Sequence, residues 1–181
     1  YTTDGKLMNQ VTKGKWVVKD FIAFTGNSII LTGTHKDALE TQIFRSTIKA
    51  PRSTMISKAE GMHRVQANYN GGFLIDSYNS LQNPGTIELI DHTGKSLRTL
   101  LQSKNPFENT EIAQTELYSI TAEDGTPLNC RMIKPSDFDA TKTYPALVYV
   151  YNGPGVQLIY NTNLAAAPLW MHYLANAHNY I

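Results

Sequence analysis

The sequence predicts a mainly β chain, with propeller-type antiparallel sheets first and the opening of an α/β domain after them. Three observations carry this expectation. Residues 1–115 are a series of short β-branched and aromatic stretches separated by turn signals. A strand–turn–strand pattern recurs within that series. After Asn105-Pro106-Phe107 the pattern changes to a hairpin, a continuous apolar run and a short helix.

The strands are expected at Lys15–Val18, Phe21–Phe24, Ser28–Thr32, Gln42–Ile48, Arg64–Tyr69, Gly72–Tyr78 and Thr86–Ile90. Thr25-Gly26-Asn27, Asn70-Gly71-Gly72, Asn83-Pro84-Gly85 and Thr93-Gly94-Lys95 supply the turns between them. A hydrophobic strand, a tight turn and then Ile43-Phe44-Arg45 recurs as Phe73-Leu74-Ile75, a turn and Ile87–Ile90. The spacing is about that of a propeller blade, ~40–50 residues, which favours a propeller over a sandwich.

Beyond residue 112, Glu116–Ala122 and Leu128–Lys134 flank the turn Glu123–Pro127 and read as a hairpin. Ala146-Leu147-Val148-Tyr149-Val150-Tyr151 is apolar throughout, which suits a central strand buried on both faces. It stops at Asn152-Gly153-Pro154-Gly155, where the chain must turn. Trp170–Asn176 reads as a short helix, with Trp170, Tyr173, Leu174 and Ala177 on one core-facing side. Tyr180-Ile181 reads as the first residues of a further strand. The expected division is 1–112, a β region, and 113–181, the incomplete opening of an α/β domain.

Composition excludes several function classes. The 181 residues are 41% hydrophobic and 17% charged, with a formal net charge of +1 from 16 basic and 15 acidic side chains. That balance gives no reason to expect nucleic acid as a partner. The single cysteine, Cys130, excludes an intramolecular disulfide or a cysteine-rich zinc site. No apolar run reaches the ~20 residues of a membrane-spanning helix. The opening Tyr1-Thr2-Thr3-Asp4-Gly5 lacks the charged and apolar regions of a signal peptide and reads as the start of an internal piece.

Candidate chemistry is sparse. His35, His63, His92, His172 and His178 show no zinc-helix spacing, since His172 and His178 are not an i, i+4 pair. They are expected to be surface or satisfied histidines, with no metal and no cofactor. Ser77 lies beside Asp76, but in a strand, without the glycine elbow of a nucleophile. Asp76 is expected to make a hydrogen bond at a turn or strand end. Gly153-Pro154-Gly155 lacks the Lys and Ser/Thr of a phosphate-binding loop.

Asp124-Gly125-Thr126-Pro127-Leu128, then Lys134-Pro135, Phe138-Asp139, Lys142 and Tyr144-Pro145, resemble the start of the catalytic domain in the prolyl oligopeptidase family. Val148-Tyr149-Val150-Tyr151-Asn152-Gly153-Pro154, with Gln157, is similar to the matching segment of its dipeptidyl peptidase IV branch. Val11-Thr12-Lys13-Gly14-Lys15-Trp16-Val17-Val18 resembles the opening of a propeller blade in that branch, and Asp76–Ser80 with Pro84 a later blade. Cys130-Arg131 stands where the branch often has Gly-Trp, which puts the packing of the hairpin in question. Asn152 stands where Ala or Gly is frequent.

The resemblance implies the last blades of a β-propeller followed by the truncated start of an α/β-hydrolase domain. It implies a serine exopeptidase that releases N-terminal dipeptides from peptides with Pro or Ala at the second position. It further implies a periplasmic, secreted or membrane-associated setting, and it admits a homodimer. Tyr151 matches the tyrosine that donates to the oxyanion hole; a phenol suits this role as an uncharged donor. The nucleophile, acid and histidine of the triad are expected to be absent, because the sequence holds no G-x-S-x-G elbow. The chain alone is therefore expected to be inactive. The alternative is a non-enzymatic propeller-type module, or inactive homologue, that binds peptides or proteins.

Overall fold

The computed structural model describes residues 1–34, 38–50, 52–151 and 153–181. It is mainly β, as the turn-punctuated pattern predicts. The chain divides into two compact units: Tyr1–Tyr78 with Gly85–Gln102, and Asn79–Pro84 with Ser103–Ile181.

The first unit holds two four-stranded sheets, each pairing its strands in chain order. One contains β1 (Val18–Thr25), β2 (Ser28–Gly33), β3 (Gln42–Thr47) and β4 (Ser53–Met55), all antiparallel. The other contains β5 (Met62–Ala67), β6 (Phe73–Asn79), β7 (Thr86–Asp91) and β8 (Ser96–Gln102). The sequence repeat therefore marks the second and third strands of each sheet. β4 and β8 have no expected counterpart, because one is very short and the other carries no regular alternation.

β2 is buried along its whole length because its sheet is covered on both faces. Ile30, with Ile43, Ile56, Leu74 and Ile90, forms a core that draws on both sheets. Ile29, Leu31 and Phe44 point the other way and pack with Val11, Trp16 and Ile48. The Trp16 and Phe44 rings lie 4.6 Å apart. This packing corrects the first expected strand. Lys15–Val17 lies outside any strand and is tied to Thr34 by two hydrogen bonds of 2.9 Å at Val17, so that Trp16 can fold under the sheet.

The second unit contains the expected hairpin, β9 (Gln114–Thr121) and β10 (Pro127–Lys134), in unbroken antiparallel register. Its helix, α1 (Leu169–His178), packs on β10. The core is small: Ala113, Ile133, Ala167 and Ala175, with Met171 against them.

Two expectations fail in this unit. The run Ala146–Tyr151 is not a buried central strand; it lies outside any strand, and Val148 is 80% exposed. Among the described residues its backbone pairs only with Ile181, whose N–H donates to Pro145 O just before the run (3.0 Å) and whose carbonyl accepts from Leu147 N–H (2.8 Å). One residue of partner strand cannot cover a six-residue run, so the apolar side chains stay in solvent. The buried face of α1 is also the opposite of the expected one. His172 and Ala175 face the core, while Trp170 and Tyr173 are 45% and 63% exposed. Both sides of the helix are apolar enough to be buried, and the small alanine side allows the closer approach to β10.

Candidate functional site

Tyr151 ends the extended run, and the loop before it is fixed by a set of local contacts. The Phe138 and Tyr144 rings stack 5.0 Å apart, and the Lys134 ammonium sits 5.0 Å above the Phe138 ring. The Tyr144 hydroxyl accepts the Asp139 N–H at 2.8 Å. Hydrogen bonds from the Thr141 N–H and hydroxyl hold the Asp139 carboxyl below its usual range. The residues of the Lys134–Tyr144 motif thus close a compact loop that delivers the chain to Pro145.

The Tyr151 side chain is 58% exposed, and its hydroxyl has no hydrogen-bond partner among the described residues. Its ring lies over Gly153: a Cβ placed there would meet Cε1 at 3.0 Å, Cζ at 3.6 Å and the hydroxyl oxygen at 3.7 Å. Glycine at 153 therefore gives the ring room to fold back over the turn, with a free O–H donor at its tip. Asn152, between them, lies outside the described residues. Tyr149 meets the edge of Trp170 at 6.4 Å.

Arg131 answers the question its substitution raises about the hairpin. One guanidinium nitrogen donates to Ala165 O (2.8 Å) and Leu158 O (3.4 Å), and the other approaches the Met171 sulfur at 3.5 Å. Ala165 sits within three successive left-handed residues, Leu164, Ala165 and Ala166, at φ 53°, 49° and 62°. Each such non-glycine residue costs roughly 1–2 kcal/mol. Arg131 supplies a charge-assisted bond to the middle of that turn.

The remaining candidates do not assemble a catalytic centre. Asp76 and Ser77 are adjacent in β6 and so point to opposite faces, which removes Asp76 as a partner for Ser77. Asp76 instead bonds in mid-strand to His63 Nδ1 at 2.9 and 3.0 Å, a correction to its expected turn or strand-end role. His63 Nε2 lies 3.0 Å from Ala59 O, and the ring stacks on Tyr78 at 4.9 Å. Burial holds the His172 imidazole below its usual range, while its Nδ1 sits 3.2 Å from Ala113 O. His92 belongs to the β7–β8 turn, and His178 meets the Tyr173 ring edge-on at 5.6 Å. His35 lies outside the described residues. Among the described residues no three His, Cys, Asp or Glu side chains are placed to share a metal.

The family model for the dipeptidyl peptidase IV N-terminal region matches residues 1–85. A dipeptidyl aminopeptidase IV–type protein from Bacteroides ovatus superposes with a TM-score of 0.85 at 30% identity, over 93% of this chain and 24% of that one. The chain thus resembles the dipeptidyl peptidase IV family along most of its length. Human Dipeptidyl peptidase 8 is 25% identical over 171 residues, 83% of this chain and 18% of its own length. Porphyromonas gingivalis dipeptidyl peptidase 4 shares the fold, with a TM-score of 0.86 at 24% identity over 98% of this chain and 25% of that one. The chain thus spans about a fifth to a quarter of the dipeptidyl peptidase IV relatives it matches. The order of the motifs along this chain made the resemblance legible from one sequence. The His63–Asp76 pair was not legible, because it joins neighbouring strands through residues that carry no spacing signal.

Proposed function

We propose that residues 1–112 supply the last blades of a β-propeller, and residues 113–181 the linking hairpin and first part of an α/β-hydrolase domain. The whole protein is then a serine-type exopeptidase that releases N-terminal X-Pro or X-Ala dipeptides through an acyl-enzyme. Tyr151 contributes to its oxyanion hole. When the serine oxygen bonds to the scissile carbonyl carbon, the carbonyl electron pair moves onto oxygen, and a fixed phenol O–H donates to the charge that develops there. The observation that carries this reading is the exposed Tyr151, its ring over Gly153 and its hydroxyl without a hydrogen-bond partner among the described residues. The exposed apolar run Ala146–Tyr151 supports the hydrolase assignment, since such a run is suited to burial between further strands. The same reading gives the protein a periplasmic, secreted or membrane-associated setting.

The test is hydrolysis of a chromogenic X-Pro substrate by the full-length protein, by its Tyr151→Phe variant and by residues 1–181 alone. The expected result is activity in the full-length protein only, with kcat lowered ~10²–10³-fold by the substitution. Unchanged kcat in the variant would remove Tyr151 from the oxyanion hole. A folded full-length protein that cleaves nothing would favour a peptide-binding module instead.

A further inference from the structure

We infer that the first unit carries a binding site for a phosphate group, centred on Arg45. Alternation along β3 places Ile43, Arg45 and Thr47 on one face. The cross-strand neighbours on that face are Ile30 and Thr54 beside Arg45, and Ser28 beside Thr47. Ile30 and Ile43 are fully buried members of the core that draws on both sheets. A guanidinium therefore projects from the apolar side of the sheet, where a cation requires an acceptor.

Among the described residues no protein group supplies one. Arg45 Nε is buried without a hydrogen-bond partner. Arg45 opens instead onto a cavity of about 330 Å³, lined by Ser28, Thr47, Arg52, Thr54 and Thr93, with Ile56 as its apolar wall. The hydroxyls of Ser28, Thr47 and Thr54 make no hydrogen bonds among the described residues. Among the described residues no carboxylate lines the cavity. Asp91, in the neighbouring turn, is occupied with the Thr93 N–H (2.8 Å), the Thr93 hydroxyl (2.6 Å) and the Lys95 N–H (3.1 Å). Thr93 thus serves as a wall rather than a donor. Gly94 keeps that wall in place: at φ +83° it lies so close to Ile56 that a Cβ would come within 2.1 Å of the Ile56 carbonyl oxygen.

The donor set is two guanidiniums and three hydroxyls, spread around a space larger than a single ion. Two planar forks with several single donors fit an oxyanion with three or more acceptor oxygens better than a carboxylate with two. The ligand class is therefore a phosphate group, either free or as a small phosphomonoester. The site is independent of the peptidase reading, since none of its residues belongs to the second unit.

The test is ³¹P NMR titration of the intact protein with inorganic phosphate and, separately, with glycerol 3-phosphate, at constant ionic strength. Saturable binding is expected, weakened about ten- to a hundredfold in Arg45→Gln. Because Arg45 adjoins the core, the exposed Arg52→Gln is the second variant, and a loss of affinity is expected there too. Tighter binding of the ester marks a phosphomonoester as the natural ligand, and equal or weaker binding marks free phosphate; either supports the site. No saturable binding, equal affinity in both variants and wild type, or acetate binding as tightly as phosphate would each overturn it.

Discussion

The Asp76 carboxylate grips His63 Nδ1 at 2.9 Å while both residues are only 3% exposed. With Ala59 O on the other ring nitrogen, every polar atom of the imidazole has a partner inside the first unit. Breaking a buried pair from one side costs about 3–5 kcal/mol, because the group left behind stays buried and unsatisfied. Asp76→Ala is therefore expected to lower the unfolding free energy, read from urea denaturation, by that order. Asp76→Asn, whose amide oxygen still accepts from Nδ1–H, is expected to lose clearly less. Equal losses would show that the pair acts through packing alone.

A methyl group at 153 would press on the Tyr151 ring at 3.0 Å. The ring is exposed and is expected to yield by rotating, which displaces its hydroxyl. Displacements of about 1 Å at a reacting centre cost up to ~10²-fold. If the full-length protein is the proposed X-Pro peptidase, Gly153→Ala is expected to lower its kcat by about tenfold, with KM little changed. The effect is expected to vanish in a Tyr151→Phe background, which kinetics of the double variant would check.

Asp91 has its pKa lowered to about 2, first by the Thr93 hydroxyl and then by backbone N–H groups of Thr93 and Lys95. A carboxyl that binds its proton more weakly when folded than when unfolded stabilises the fold above the unfolded value, about 3.9. That contribution declines as pH falls through about 2. Thr93→Val is expected to raise the Asp91 pKa, read from the carboxyl ¹³C shift across a pH titration. An unchanged titration would deny the hydroxyl its leading role.

Arg131 is expected to matter for stability rather than chemistry. Hydrogen bonds to a charged group contribute about 1.5–3 kcal/mol, so Arg131→Ala should destabilise the second unit by about that amount. Amide exchange should quicken first around Leu164–Ala166, whose left-handed backbone loses its brace. Exchange that quickens evenly along the chain would contradict the assignment.

Much of the fold was legible because β-branched runs and glycine turns are local signals. Ser28–Thr32 and Gly72–Tyr78 fall almost on β2 and β6 for that reason. What failed depended on partners. Ala146–Tyr151 has the composition of a strand buried on both faces, but burial is a property of neighbours, and a composition cannot report whether they are there. Trp170 and Tyr173 mark an apolar face of α1 correctly; the small side of the helix wins the core because Ala175 permits closer packing. Of the proposed site, Tyr151 was named from the resemblance of its motif alone. The Arg45 cavity was not, since its donors come from β2, β3, β4 and the turn between β3 and β4, which only the folded sheet brings together.

β8 forms one edge of its sheet and is exposed at every residue, including Leu97, Leu100 and Leu101. Arg98 is its single charge, and its outer backbone groups form a ladder ready for another strand. Two copies of this chain meeting along that edge would exchange hydrogen bonds as readily as a native neighbour would. Handling the 181-residue chain on its own thus becomes a contest between refolding and strand-to-strand stacking. Concentration, more than temperature, should decide which of the two prevails.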